Sequence, residues 1–205
     1  MKFNGFNQND FSVFKIDGLE KRMEAIQTQI QPKFKELGTE LVEDLSTYLG
    51  NEVFLHIAKH ARRTVNPPRD TWLAIADNKR GYKKHPHFQV GLFDDHMFFW
   101  LAFIYELDGK EKIADMFLNN YDKLKTLPTE FSVSLDHTKK DYIPIKDLTI
   151  EHLNRFKNVK KGEFLIGQHM AADDSRVHDG SELLNIIKNT FHILIPFYQK
   201  SLRVR

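Results

Sequence analysis

Apolar residues recur every three or four positions through Leu19, Met23, Ile26, Ile30, Phe34, Leu37, Leu41, Leu45 and Tyr48. That spacing marks one face of a long helix. Pro32 falls on the opposite side, so it interrupts the hydrogen bonding without shifting the phase, and a kink is expected there. Asp17 and Glu20 read as a capping box at the start and Gly50 as the stop. The same Asp-Gly-x-Glu pattern recurs at Asp108–Glu111 and Asp179–Glu182. Each precedes another helical stripe: Ile113, Phe117, Tyr121 and Leu124, then Leu184, Ile187, Phe191, Leu194 and Tyr198. Pro196 is expected to kink the last helix.

Strand-like segments lie between the helices. They are Val53–Lys59, Thr71–Ala76, Phe88–Phe93, Met97–Tyr105, Phe131–Asp136, Tyr142–Ile145 and Glu163–Met170. Asp94–Asp95 predicts a tight hairpin between the third and fourth. The fourth is apolar at successive positions, as a central strand covered on both faces would be. A short helix fits Ile150–Val159. The strands come in groups and do not alternate strictly with helices. The class is therefore α+β: a largely antiparallel sheet of about six or seven strands, packed with long N-terminal and C-terminal helices. With no Pro/Gly/Ser linker, the chain reads as a single domain over residues 1–205.

Composition sharpens this picture in three ways. Seventeen phenylalanines imply a core rich in aromatic area. The absence of cysteine removes disulfides, thiolate nucleophiles, thiolate zinc sites and iron–sulfur clusters together. The longest apolar run, Met97–Tyr105, is too short for a helix that crosses a bilayer, which needs about 20 residues. The opening MKFNGFNQND lacks the apolar core of a signal peptide. A cytoplasmic protein without membrane contact is expected.

Charge is placed unevenly. Val53–His87 holds eight Lys or Arg and two acids, a net of +6 in a chain whose formal charge is +2, so the remainder carries −4. One basic segment in an otherwise acidic chain points to a local anion-attracting surface. Its first half, VFLHIAKHARRTVNPP, sets Lys59, Arg62, Arg63 and Asn66 ahead of a rigid Pro67-Pro68 stop. Guanidinium groups bind phosphate or carboxylate as a bidentate fork, and a stiff loop carrying them is a sensible anion clamp. The competing reading is surface arginines paired with Asp70, Asp77 or helix acids. The second half, KRGYKKHPHF, adds Arg80, Tyr82, Lys83 and His87. With Trp72 it offers charge plus stacking for a nucleotide or a single strand, but no recognised reading motif accompanies it and nucleic acid is not favoured.

Metal and acid–base chemistry have weaker support. His56 and His60, then His85 and His87, are spaced to share a face, with Asp70, Asp94 and Asp95 available to complete a site. No HExxH occurs, and solvent-facing or satisfied histidines are favoured over a metal site. Residues 171–179, AADDSRVHD, pair a histidine with acids, although Asp179 already serves as a helix cap. GxGxxG, Walker A and GxSxG motifs are all absent, and no cofactor is expected.

HIAKHARRTVNPPRDTW and NKRGYKKHPHFQVGLF, with GFNQNDFSVFKIDGLEKRMEAI and PKFKELG, resemble the YktB-like family of uncharacterised bacterial proteins. The resemblance is densest from Phe3 to Tyr105 and loosens after about Lys110. It implies an α+β protein of around two hundred residues and carries over no activity and no catalytic residues. The expectation is thus an anion site at Lys59, Arg62, Arg63 and Asn66, with Trp72, Arg80, Tyr82, Lys83 and His87 around it. The ligand would be a small molecule bearing phosphate or carboxylate. An enzyme using clustered histidines and a protein-docking face are the rivals.

Overall fold

The computed structural model describes residues 3–205, so the first two residues of MKFNGFNQND lie outside it. The helices are α1 (Gln8–Ser12), α2 (Leu19–Ala25), α3 (Gln31–Leu49), α4 (Lys110–Leu118), α5 (Tyr121–Lys125), α6 (Ile150–Asn158), α7 (Ser175–His178) and α8 (Gly180–Val204). The strands are β1 (Phe54–Ile57), β2 (Thr71–Ala76), β3 (His87–Leu92), β4 (His96–Phe103), β5 (Ser132–Ser134), β6 (Ile143–Pro144) and β7 (Phe164–Ala171). They form one antiparallel seven-stranded sheet in the order β1-β2-β3-β4-β7-β5-β6. The protein is α+β, as its pattern predicts, and the doubly apolar β4 lies between β3 and β7 at the centre.

The N-terminal stripe behaves as one surface. Ile26, Ile30, Phe34, Leu37, Leu41 and Leu45 are all buried. Pro32 has no N–H to offer Thr28, and the chain accommodates it by widening into a π turn over Ile26–Ile30, where the Gln31 N–H bonds the Ile26 carbonyl. Tyr48 leaves the stripe: it is exposed, with its ring 3.7 Å from that of His192 on α8.

The three Asp-Gly-x-Glu starts diverge. Only Asp179 caps, accepting from the Ser181 and Glu182 N–H groups at 2.9 Å each. At α2 and α4 the N-cap position is taken by Gly18 (φ 87°) and Gly109 (φ 72°), which have no side chain to offer. Asp17 and Asp108 therefore stand one residue too early to cap. The stripe Ile113–Leu124 splits into α4 and α5 at Asn119–Asn120, where the Asn120 side chain donates to the Met116 carbonyl at 2.7 Å. Helix α8 continues through Pro196.

Side chains alternate across the sheet. One face presents Leu73, Ile75, Phe88, Val90, Leu92, Phe99, Leu101, Phe103, Phe164 and Ile166 to the helices. Helix α3 lies over β1 and β2, and α8 lies over β4 and β7. Phe88 meets Phe191 and Tyr198 of α8 at centroid distances of 4.7 and 5.0 Å. Phe117 of α4 meets Phe103 and Phe164 at 4.9 and 4.8 Å. Most of the phenylalanine content sits here.

The opposite face carries Trp72, Ala74, His87, Gln89, Gly91, Phe98, Trp100, Ala102, Leu165, Gly167, His169, Ser132 and Ser134. A small cluster of Phe93, Phe98, Trp100, Ala102, Ile104 and Leu165 forms its apolar part, with Trp72 against it. Large rings lie over small partners: a Cβ at Gly91 would stand 2.3 Å from the Phe98 ring. The site described next lies at the Trp72 edge of this second face.

Candidate functional site

The loop that joins β1 to β2 is pinned at several points. The Ala58 N–H bonds the Trp72 carbonyl at 2.9 Å, which extends the ladder by one residue past β1. Gln31 of α3 donates to the Ala58 carbonyl at 3.2 Å. His60 then takes a left-handed conformation (φ 49°), and the Arg63 N–H closes the turn on the His60 carbonyl at 3.0 Å. A non-glycine residue rarely adopts that backbone. Here the His60 ring is held by a 3.1 Å hydrogen bond to Thr71 Oγ1. At the far end, Arg22 of α2 donates Nη1 to the Pro68 carbonyl at 2.9 Å and Nε to the Ile16 carbonyl at 2.8 Å. The loop is thus fixed to the sheet, to α3 and to α2, while its side chains remain outside.

Those side chains line a cavity of about 760 Å³. Its wall includes Lys59, His60, Arg62, Arg63, Asn66, Arg69, Asp70, Trp72, Tyr82, Lys83, His137 and Thr138. Seven of the nine residues singled out in the sequence meet there: Lys59, Arg62, Arg63, Asn66, Trp72, Tyr82 and Lys83. Arg80 lines a neighbouring depression of about 630 Å³, which shares Lys59, Tyr82 and Lys83 with the first and adds His56, Asn78, Lys84 and His85. His87 lines neither and is completely buried in β3.

The cations are mostly unneutralised. Among the described residues, Lys59, Arg62, Arg63 and Arg69 form no salt bridge, and Lys83 alone pairs, with Glu106 at 3.1 Å. Arg63 has a long contact of 3.4 Å to the Asn66 carbonyl. Asp70 is the one acid in the wall, and it is 6% exposed. Burial raises its carboxyl to about 6, against the pull of His137 and Arg63. Burial, with Arg63 adding to it, lowers His60 to about 4, so that ring is neutral at pH 7.

Aromatic groups form the deeper side. Trp72 Nε1 donates to Tyr82 Oη at 2.9 Å. The indole stands edge-on to His60 (5.5 Å) and His137 (6.2 Å). Burial raises the Tyr82 phenol, which keeps it protonated. Its hydroxyl accepts from Trp72, and its own proton has no protein acceptor among the described residues.

Two contributors come from far along the chain. His137 follows β5, and its Nδ1 lies 2.9 and 2.8 Å from the carboxylate oxygens of Glu163, the residue that enters β7. Glu163 is buried and also accepts from the backbone N–H groups of Tyr105 and His137. These bonds, with Asp70 and Asp136, raise His137 despite the opposing effect of its own burial, the largest single influence on it. The only sequence signal for this pair is weak: Glu163 is an acid at the mouth of the apolar strand FLIGQHM. Nothing local marks His137.

Metal-ligating geometry is confined to that same corner. Among the described residues, Asp136, His137 and Glu163 are the group whose ligand atoms fall within 4.8 Å of one another. Part of their acceptor capacity is already engaged: Asp136 Oδ1 accepts twice from Thr138, and Glu163 accepts three N–H groups. The histidines weighed from spacing hold separate posts. His56 donates to the Asn78 carbonyl, His85 pairs with Asp77 at 2.6 Å, and His87 donates Nδ1–H to the His85 carbonyl. In residues 171–179, Asp174 caps α7 and pairs with Arg176, Asp179 caps α8, and His178 donates to the Phe6 carbonyl.

Residues 6–198 match the family model described as a domain of unknown function, DUF1054. A UPF0637 protein of Oceanobacillus iheyensis is 61% identical over 98% of both chains. One of Shouchella clausii is 56% identical over 98% of this chain and 97% of the relative. One of Listeria monocytogenes is 52% identical over 99% of this chain and the whole of the relative. The match spans the strands, the loop and the His137–Glu163 corner alike, and the chain belongs to the DUF1054 (UPF0637) family, a bacterial family of unknown function.

Proposed function

We propose that this protein binds a small anion-bearing ligand, a phosphate or a carboxylate, in the cavity beside the β1–β2 loop. It would do so in the cytoplasm, as one domain spanning residues 1–205. A single observation carries the reading: Lys59, Arg62, Arg63 and Arg69 share one cavity wall, and none has an acidic partner within salt-bridge distance among the described residues. Like charges brought together repel, and an ordinary surface relieves this by interspersing acids. A dianion placed among them would receive bidentate hydrogen bonds from the guanidinium forks and relieve the repulsion at once. Because Arg22, Gln31 and Thr71 hold the loop in place, little ordering would be lost on binding.

The test is calorimetric titration with inorganic phosphate at low and high salt. Arg62→Ala with Arg63→Ala is expected to weaken binding at least tenfold and to flatten its salt dependence. Binding unchanged in the double variant, or no binding by the wild type, would end the reading.

A second reading, an acid–base enzyme, has one observation in its favour. The Glu163-held His137 shares the cavity with Asp70, so two titratable groups of opposite type meet the bound anion. A docking face for an acidic protein has less support, since it would be flat around Arg62 and Arg63 and these line a cavity instead.

A further inference from the structure

Asp70 is the anomaly of this site. A pocket that recruits anions has a carboxylate in its wall, 6% exposed and without an ion pair to any described residue. Beyond its own backbone N–H, no hydrogen-bond donor among the described residues is directed at it. Its oxygens are not among the buried atoms sealed off without a partner, so they face the cavity, where a bound group can donate to them. If the ligand were only an anion, Asp70 would repel it at close range and remain without a donor.

Both difficulties disappear if the ligand carries hydrogen-bond donors next to its charge. We propose that the ligand is a phosphate ester of a hydroxyl-rich small molecule, of the sugar-phosphate type. Its phosphate lies among Lys59, Arg62, Arg63 and Arg69, and a hydroxyl of its organic part donates to Asp70. The proposal rests on the anion-binding reading of the same cavity and narrows it to a ligand class.

Three further features fit that class. The cavity, at about 760 Å³, lies within the range of sites that enclose small organic ligands and is far larger than inorganic phosphate requires. The Tyr82 hydroxyl, which already accepts from Trp72, has its proton free to donate to a ring or hydroxyl oxygen. The walls offer donors and acceptors at different places: cations on the loop, and a carboxylate at the start of β2. Groups placed in this way select by rejection. A site built to pair with a hydroxyl discriminates strongly against an analogue that lacks it, because its own polar group is then left buried and unpaired.

Three probes separate the parts: inorganic phosphate, ribose 5-phosphate and phenyl phosphate, the last carrying a ring of similar size without hydroxyl groups. Affinities are measured by calorimetry at pH 7.5. Wild-type protein is expected to bind ribose 5-phosphate at least tenfold more tightly than phenyl phosphate. Asp70→Asn and Asp70→Ala should bring the two esters within about threefold of each other while binding inorganic phosphate as tightly as before, or more tightly. Should Asp70→Ala fail to fold, the near-isosteric Asp70→Asn and the wild-type preference decide alone.

The inference is overturned if wild type does not distinguish the two esters, or if the Asp70 variants lose all three probes equally. If phosphate binds through Arg62 and Arg63 without any preference between esters, only this inference falls. If phosphate itself does not bind, the anion reading falls with it.

Discussion

The two faces of the sheet are made by the same strands from alternate residues, yet they are built from different chemistry. The helix-covered face is mostly Phe, Leu, Ile and Val, and its polar side chains are few: Thr71 at one edge, and Gln168, which donates to Thr190 of α8 at 3.0 Å. The second face mixes Trp72, Phe98 and Trp100 with His87, Gln89, His169, Ser132 and Ser134, and gives way at one edge to the cationic cavity. Burial does not separate them, since His87 and Gln89 are as inaccessible as Phe99. What separates them is how many polar side chains they hold. His87 Nε2 and Gln89 Oε1 are buried without a hydrogen-bond partner among the described residues, as is Tyr198 Oη on the helix side, a condition that stabilises nothing. The first face is organised for stability, and the second keeps groups that stability alone would have replaced.

The division is broken most directly by truncation on each side. Phe99→Ala removes a fully buried ring from the middle of β4 and is expected to cost about 3–5 kcal/mol in denaturant unfolding. Trp72→Ala, from the second face, removes a half-buried ring whose indole N–H bonds only Tyr82. If the two cost the same, the second face is a core like the first and the contrast fails.

Much of the fold was legible in the sequence because burial imposes a period. The 3.6-residue stripe from Ile26 to Leu45 and the uninterrupted β4 both follow from facing apolar neighbours. The ends of elements were less legible, because they depend on backbone torsions. Asp17 and Asp108 promised caps that Gly18 and Gly109 displaced by one residue. In the candidate site the contiguous part was readable: Lys59 to Asn66, Trp72, Tyr82 and Lys83 are close in the chain and close in space. His137 and Glu163 were not: they lie 26 positions apart in the chain, and His137 reaches Trp72, 65 positions earlier, only in the folded structure. Asp70 was visible only as a partner for the arginines or an acid to complete a histidine site, because its lack of an ion pair is a fact of three dimensions.

A smaller effect of opposite sign tests whether the site and the stability of the fold oppose each other. Asp70 has a folded-state pKa of about 6, raised from 3.8 by burial. The folded protein therefore holds that proton more tightly than the unfolded chain does. Its ionised form carries no penalty below about pH 3.8, a growing one up to about pH 6, and the full penalty above that. Asp70→Asn removes the charge and should stabilise the protein at pH 7.5 by roughly 2–3 kcal/mol, at about 1.4 kcal/mol for each tenfold change in proton affinity. The gain should vanish near pH 4. Paired urea titrations at the two pH values measure it. A variant that is less stable at pH 7.5 would mean that the carboxylate holds the loop together.

The smallest effect is the most diagnostic for the loop. Arg62 and Arg63 are exposed, and among the described residues the one hydrogen bond of either side chain is the 3.4 Å approach of Arg63 to the Asn66 carbonyl. The loop is fixed instead by Gln31, Arg22 and the His60–Thr71 bond, none of which uses these two side chains. Changing both arginines to alanine should therefore move the unfolding free energy by no more than about 0.5 kcal/mol, the usual range for surface substitutions. A slight stabilisation is the expected sign, because Lys59 and Arg69 lose two like charges nearby. A loss of 2 kcal/mol or more would make the arginines structural. The cavity wall would then belong with the helix-covered face, as part of what holds the molecule together.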